Sequence, residues 1–471
     1  MAQSHRKSVR IARRLEGFAR RATREILFEG GLEGILGFQE DIFKLQIEIQ
    51  QAINEAKRLR MKDAETLSLL EELRRLRWFS RRLGDALAWN LLLHNRQIIQ
   101  SLYQESSVPV VSAWSDGHRG AFEFAKSATG PAWGVPIIHD ITNVLRIGDV
   151  TFMNPNLNPS DSIFRTVELK TTRVSEETTP EGETVLGLNV TVVSNEPIPM
   201  LRAPDREAGD RKVDIAPTNP ARREDRRLAR QMKRLDAAMA SKYAKLNEFT
   251  KIGDNQIFTI QVEDEQESHW KELRRAIRQA RRDGYSYFEI DEFVGYSLIY
   301  SARGVTVEDI SATPLAEHVT GLMHDEIGDR NSITLTTIPE REDDQYGHSV
   351  LPFYLWEVPQ RAIKDLLRGR LMIAATYNSG WIEKLLEEAG ATINTHNRPG
   401  KDSRGFEVVL PLSWDNASGE YHSGTPSEEM YISVHEFRGA RAVVQRVLAA
   451  GTVATHVTAE ELVATADEVE S

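Results

Sequence analysis

At about residue 105 the apolar residues of this chain change period, and that switch constrains the fold more than any other feature. Before it, Ile42, Leu45, Ile49, Ile53 and Ala56 keep the three-and-four spacing of one buried helical face. Leu73, Leu76, Leu83 and Leu87 continue in the same way. Asp85–Gln104 reads as a further helix carrying Leu91, Leu92, Ile98 and Leu102, and Gly30–Gly31 reads as a break. After the switch the apolar runs shorten. Val108–Val111 is a short β-type run, and Val135–Ile141, Thr142–Phe152, Ile163–Val174 and Thr184–Ser194 are rich in Val, Ile, Thr and Phe and bounded by Gly, Pro, Asn or Ser. That is the texture of strands, and a sheet of about four is expected. One short helix, Asp116–Thr129, is opened by Asp-Gly and closed by Gly130-Pro131.

Residues 195–222 hold five prolines and many charges, and read as a long surface excursion. Glu224–Leu246 then reads as a helix, Ile257–Val262 as a strand, His269–Arg282 as a helix stopped by Gly284, and Tyr285–Ser301 as one or two strands. A second α/β unit is expected after Gly304. Its helices are Gln360–Leu367, Gly380–Ala389 and Ala440–Ala450, and its strands Leu371–Tyr377, Gly405–Leu412 and Met430–His435. The expected fold class is α/β and multidomain. A helical N-terminal domain spans 1–105 and a sheet-bearing domain 106–303, with the proline-rich insertion near 195–222. A C-terminal α/β domain of unassigned role spans 304–450, and an acidic tail 451–471.

The chain carries a net charge of −11 and no cysteine. Without thiols there is no disulfide framework, thiolate zinc site, iron–sulfur cluster or cysteine nucleophile. No run approaches the roughly 20 apolar residues of a membrane helix. The arginine-rich start lacks a continuous apolar core, unlike a secretory signal, so a cytoplasmic location is expected. The charge is unevenly spread: +6 over residues 1–100, −4 over 101–300 and −13 over 301–471.

The basic charge is mostly arginine, 44 against 15 lysines. Arg10, Arg13 and Arg14, then Arg20, Arg21 and Arg24, then Arg74, Arg75, Arg77, Arg81 and Arg82 cluster on the early helices, the last group around Trp78 and Phe79. They suit a phosphate-binding face with a stacking platform, or a solvated face over a Trp/Phe core, and the second is the default. Further on, residues 222–234 carry a net +5 that includes Arg223, Arg227, Arg230 and Arg234, and Arg274, Arg278 and Arg281 recur at near-helical spacing. Phosphate contact is their functional reading, and a solvated helix face the structural one.

The chemistry is concentrated between Asp116 and Arg173. Glu123 lies on the short helix, Asp149 follows Gly148 in an apolar stretch, and Glu168-Leu169-Lys170 lies on the next strand. Side chains two apart on a strand share a face, so Glu168 and Lys170 project together. If the two strands are neighbours, Asp149 converges with them. Two carboxylates beside a lysine suit a hard divalent cation such as Mg²⁺, held with water and substrate phosphate. Glu-x-Lys alone is weak, since Glu55-Ala-Lys57 also has it and Asp210-Arg-Lys212 is an Asp-x-Lys. The order carries the signal. His139-Asp140 reads as structural, and His318 and His324, six apart, lack metal-ligand spacing.

The order helix-Glu123, strand-Asp149, strand-Glu168-x-Lys170 resembles the PD-(D/E)XK, or restriction-endonuclease-like, nuclease superfamily over about 130 residues, Asp116 to roughly Leu246. Gly148 stands where the family name has proline, and an Asn/Pro-rich loop lengthens the gap from Asp149 to Glu168. The resemblance implies a central restriction-endonuclease-like mixed sheet flanked by helices. It implies Mg²⁺ or Mn²⁺ held by Asp149, Glu168, the Leu169 carbonyl and Glu123, with Lys170 orienting the attacking water. It also implies a Gln or basic residue on the following helix, for which Gln231 and Arg227 are the candidates. The expected activity is endonucleolytic cleavage of phosphodiester bonds, with DNA the expected substrate. Architecture suggests a prokaryotic restriction or anti-phage effector. The alternatives are an inactive nucleic-acid-binding or assembly subunit on the same fold, and an α/β protein whose acidic last third binds other proteins. The flanking domains are the places for a homo-oligomeric or protein partner.

Overall fold

The computed structural model describes residues 2–22, 31–58, 63–92, 94–103, 111, 113–128, 133–153, 164–178, 184–193, 249–252, 255–258, 268–340, 346–396, 405–414, 417–423 and 426–448. The chain is mixed α/β with several small antiparallel sheets. It divides into two compact units, Met1–Tyr243 with Pro352–Leu355, and Ala244–Leu351 with Trp356–Ser471. Among the described residues no helix is long and apolar enough to cross a membrane.

The first unit opens with α1 (Ala2–Ala22), α2 (Gly31–Lys57), α3 (Ala64–Leu91), α4 (Arg96–Leu102) and α5 (Asp116–Ser127). Ile42, Leu45, Ile49, Ile53 and Ala56 are buried on α2, as their spacing requires. Asp63 caps α3 by accepting the Thr66 amide at 2.8 Å. Among the described residues, several arginines of the clusters are paired or buried. Arg10 and Arg14 both pair with Glu48, tying α1 to α2. Arg81 and Arg82 are buried, and Arg82 pairs with Asp85 at 3.0 Å. Arg20, Arg21 and Arg24 lie outside the residues whose side chains are described.

Four antiparallel strands follow in chain order: β1 (Val135–Ile138), β2 (Val150–Met153), β3 (Phe164–Thr178) and β4 (Thr184–Val193). The number of strands matches the expectation, but the pairings described are all antiparallel, where a mixed sheet was expected. Helix α5 covers one face. Arg173 grips Asp116 with two nitrogens at 2.8 and 3.1 Å, and Gly120 lies so close to Thr171 that a Cβ would sit 2.1 Å from its hydroxyl. Phe124 meets Trp133 and Phe152 edge-on beneath the helix. Tyr354 joins this unit from far along the chain, donating to the Phe79 carbonyl at 3.0 Å.

In the second unit, β7 (Tyr285–Ile290), β8 (Val294–Tyr300), β9 (Ile333–Ile338) and β10 (Leu371–Asn378) form a sheet of order β7-β8-β10-β9. Before it come a hairpin, β5 (Phe249–Ile252) with β6 (Asn255–Phe258), and helix α6 (Trp270–Asp283), which ends at left-handed Gly284 as expected. Short helices α7 (Val307–Ser311) and α8 (Leu315–Gly321), then α9 (Gln360–Leu367) and α10 (Ser379–Glu388), fill the interval. The chain closes with β11 (Thr392–His396), β12 (Gly405–Trp414), β13 (Ala417–Ser423) and α11 (Pro426–His435), followed by a helix over 440–448.

Several expectations are corrected. Thr142–Phe152 is not one strand: β2 holds only Val150–Met153, and in residues 142–149 the Asn143 and Val144 amides go to the Asp85 carboxylate and the Arg146 and Ile147 amides to the end of α4 rather than to a ladder. Val135–Ile141 shortens to β1 and a 3-10 turn, His139–Ile141. The helix expected over Asp85–Gln104 is two: α3 ends at Leu91, His94 takes φ 58°, and Asn95 caps α4 by accepting the Ile98 amide at 3.0 Å. Met430–His435 is helical, because Pro426 opens α11 and Glu428 and Glu429 lie in its first turn, where the helix dipole favours acids. The boundary expected at 303/304 falls inside one sheet, since β8 pairs with β10. The helical region and the β1–β4 sheet, expected as separate domains, share the first unit. The excursion 195–222, the helix 224–246 and the tail 451–471 lie outside the described residues.

Candidate functional site

Asp149, Glu168, Leu169 and Lys170 lie where β2 and β3 part. Asp149 precedes β2, and its amide donates to the Val167 carbonyl at 2.8 Å. Its carboxylate then turns onto β3, and Oδ2 accepts the Leu169 amide at 2.6 Å. The carboxylate thus takes the place of a ladder partner beyond the last β2–β3 pair, Val150 with Val167. It bonds the backbone of Leu169, the residue between Glu168 and Lys170. In an extended strand a residue's N–H and C=O point to the same edge, so the Leu169 carbonyl also points to the side from which β2 has withdrawn.

Alternation along β3 sorts the other side chains. Thr171 and Arg173 face α5. Glu168 and Lys170 therefore lie on the opposite face, with Thr166. All three of Asp149, Glu168 and Lys170 are partly exposed. Glu123 is carried by α5, the helix over the Thr171 face. It lies 3.5 Å from Lys126, which is 3.7 Å from Glu40. The structure brings Asp149, Leu169, Glu168 and Lys170 to one stretch of two strands, and puts Glu123 on the helix across the sheet.

Gly148 makes the turn into Asp149. Its φ is +81°, and a Cβ there would meet Thr166 Cγ2 at 2.6 Å and the Val167 carbonyl oxygen at 2.9 Å. Only glycine meets both demands without strain. His139 stands behind this turn, buried, with Nδ1 3.0 Å from the Gly148 carbonyl and Nε2 2.8 Å from Thr151 Oγ1. Burial pushes its pKa down to about 3, so the ring is neutral.

Strand β1 and the loop leading to Asp149 are held by polar side chains of α2 and α3. Gln39 donates to the Pro136 carbonyl and accepts the Ile138 amide, at 2.9 and 2.8 Å. Gln46 donates to the Ile141 carbonyl at 2.9 Å. Gly84 lies so near that a Cβ would be 2.1 Å from that same oxygen. Asp85, wholly buried, accepts the Asn143 amide at 2.6 Å and the Val144 amide at 3.1 Å through Oδ1. Its Oδ2 accepts from Asn143 Nδ2 and Arg82 Nη1, both at 3.0 Å. Sequence reasoning missed Asp85. The signal was there: a Gly-Asp pair on an otherwise apolar stretch of helix, between Leu83 and Ala86.

The donors at the site fit a hard cation, because carboxylate and carbonyl oxygens are the ligands magnesium prefers. Asp149 and Glu168 would hold it, two carboxylates being the ordinary number when water and phosphate complete the shell. Among the described residues there is no group of three or more His, Asp or Glu side chains placed to hold a metal ion.

The expected nucleic-acid contacts divide. Arg223, Arg227, Arg230, Gln231 and Arg234 lie outside the described residues. Arg274 and Arg278 are on α6, in the second unit. Arg274 donates to the Glu357 carbonyl at 3.0 Å and lies 3.7 Å from its carboxylate, while Arg278 is exposed. Their neighbour Arg281 faces Asp365 at 3.3 Å. No protein family, curated protein or solved structure matches the chain.

Proposed function

We propose that the chain is a metal-dependent phosphodiesterase of the restriction-endonuclease-like kind, an endonuclease whose substrate is nucleic acid and most simply DNA. One observation supports the reading: the Asp149 carboxylate, just before β2, accepts the amide of Leu169, the residue that separates Glu168 from Lys170 on β3. A bound Mg²⁺ or Mn²⁺ would polarise the scissile phosphate and lower the pKa of its water. Asp149 and Glu168 would hold that ion. Lys170, a compact point charge with three donors, holds a phosphate oxygen or orients the attacking water. The Leu169 amide fixes Asp149, so this ligand needs little reorganisation when the site loads.

A second reading, binding without cutting, draws on the same contact. Asp149 shapes the strand junction whether or not chemistry occurs, so its presence alone does not require catalysis. Supercoiled plasmid decides between them. The nuclease reading expects nicking or linearisation in Mg²⁺, its loss in EDTA, and its loss in Asp149→Ala. Salt-sensitive retention of the plasmid with no cut strand would favour the binding subunit. Activity that survives in both Asp149→Ala and Lys170→Ala would refute the assignment of the site.

A further inference from the structure

The buried histidine behind the site has a role that the metal ligands do not account for. The Gly148 carbonyl can only accept, so His139 Nδ1 carries the proton. A neutral ring then accepts at Nε2, so Thr151 donates to it. Thr151 Oγ1 also lies 2.7 Å from Thr166 Oγ1, which must be its donor. The direction of the chain is fixed: Thr166 to Thr151, Thr151 to His139, His139 to the Gly148 carbonyl. It starts on β3, two residues before Glu168, crosses β2, and ends on the peptide unit joining Gly148 to Asp149. The His139 amide also donates to the Asp149 carbonyl at 3.0 Å, so one residue holds the backbone on both sides of Asp149. Thr151, Thr166 and His139 are all buried.

We propose that His139 is a positioning residue: through the ordered chain from Thr166 and Thr151 it locks the Gly148–Asp149 turn and aims the Asp149 carboxylate at the Leu169 amide. The catalytic consequence rests on the phosphodiesterase reading, whereas the structural lock does not. A residue that only fills the core would be replaced by a buried leucine with little local effect. A positioning residue would not, because leucine leaves both the Gly148 carbonyl and the Thr151 hydroxyl without their partner.

The test is amide hydrogen exchange at Leu169, resolved to the single residue, in the full chain. Asp149→Ala gives the rate without the carboxylate. His139→Leu is expected to raise exchange at Leu169 at least tenfold, toward that rate. His139→Asn, whose side-chain amide can still donate to Gly148, is expected to restore most of the protection. Thr151→Val, which breaks the chain one step earlier and leaves the ring in place, is expected to raise exchange several-fold and covers the case in which His139→Leu does not fold. Wild-type protection in a folded His139→Leu, or in Thr151→Val, overturns the proposal. With plasmid, His139→Leu should raise the Mg²⁺ concentration for half-maximal cleavage and leave the KM for DNA unchanged. Should the wild type cut no nucleic acid, the phosphodiesterase reading falls, and Leu169 exchange still decides the role of His139.

Discussion

Replacing Asp85 tests how the helices hold the loop that delivers Asp149. The carboxylate is wholly buried and takes four donors, two on each oxygen. Oδ1 takes the loop amides of Asn143 and Val144, and Oδ2 takes Asn143 Nδ2 and the guanidinium of Arg82, itself fully buried. Asp85→Ala withdraws the counter-charge from that guanidinium, a loss of about 3–5 kcal/mol for a buried pair. It also strands two backbone donors, at about 1–3 kcal/mol each. These terms overlap, and about 5 kcal/mol is the expected total. That is at least about a third of the stability of a domain whose total is about 5–15 kcal/mol. Asp85→Asn keeps an oxygen for the two loop amides but turns an NH₂ toward Asn143 and Arg82. It should cost about 3 kcal/mol, and the difference of about 2 kcal/mol measures the loop clamp alone. Urea unfolding followed by helical circular dichroism reads both variants. Equal losses for Ala and Asn would refute the clamp, and a loss below about 1 kcal/mol for Ala would refute the buried network altogether.

Two further outcomes follow from the same geometry. Gly148→Ala forces a side chain into φ +81° and against the Val167 carbonyl oxygen. The left-handed conformation alone costs about 1–2 kcal/mol, so a urea midpoint equal to wild type would contradict the turn. Acid should also weaken the fold through His139. The unfolded imidazole titrates near 6.5 and the buried one is pushed down to about 3, so the unfolded chain binds the extra proton between those values. The stability from this group is complete above the unfolded pKa. It falls as the pH drops toward the folded one, by up to about 1.4 kcal/mol per pH unit. His139→Asn should flatten the fall, measured as urea midpoints at neutral and mildly acidic pH, and an unchanged slope would show that His139 does not supply it.

The legible parts of this chain were those whose own residues satisfy them. The α2 face could be read because Ile42, Leu45, Ile49 and Ile53 bury themselves at helical spacing. Helix α6 could be read because Gly284 ends it. On β3 the two-residue period alone put Glu168 and Lys170 on one face, and pairing of β2 with β3 brought Asp149 beside them. The loop 142–149 could not be read. Thr142, Val144, Leu145 and Ile147 have the composition of a strand, but partners far away in sequence take its backbone groups. Asp85 takes the amides of Asn143 and Val144, and the Leu102 carbonyl takes those of Arg146 and Ile147. The arginines of α3 were opaque for a similar reason. Their spacing suits a solvated face, and only the fold reveals that Arg81 and Arg82 turn inward. The boundary at 303/304 failed because strand pairing between β8 and β10 spans about 70 residues, and no local pattern marks it.

The most direct measurement is the single-turnover rate of plasmid cleavage in Mg²⁺ for the wild type and for Lys170→Met, which keeps the length of the side chain and removes its charge. Lys170 should contribute on the order of 10²–10⁴-fold, the range for a positioned group acting on the attacking water. The account predicts a rate that falls by that factor while plasmid affinity and the urea midpoint stay near wild type. Equal rates in the two proteins, or no cleavage by the wild type at any Mg²⁺ or Mn²⁺ concentration, would contradict it.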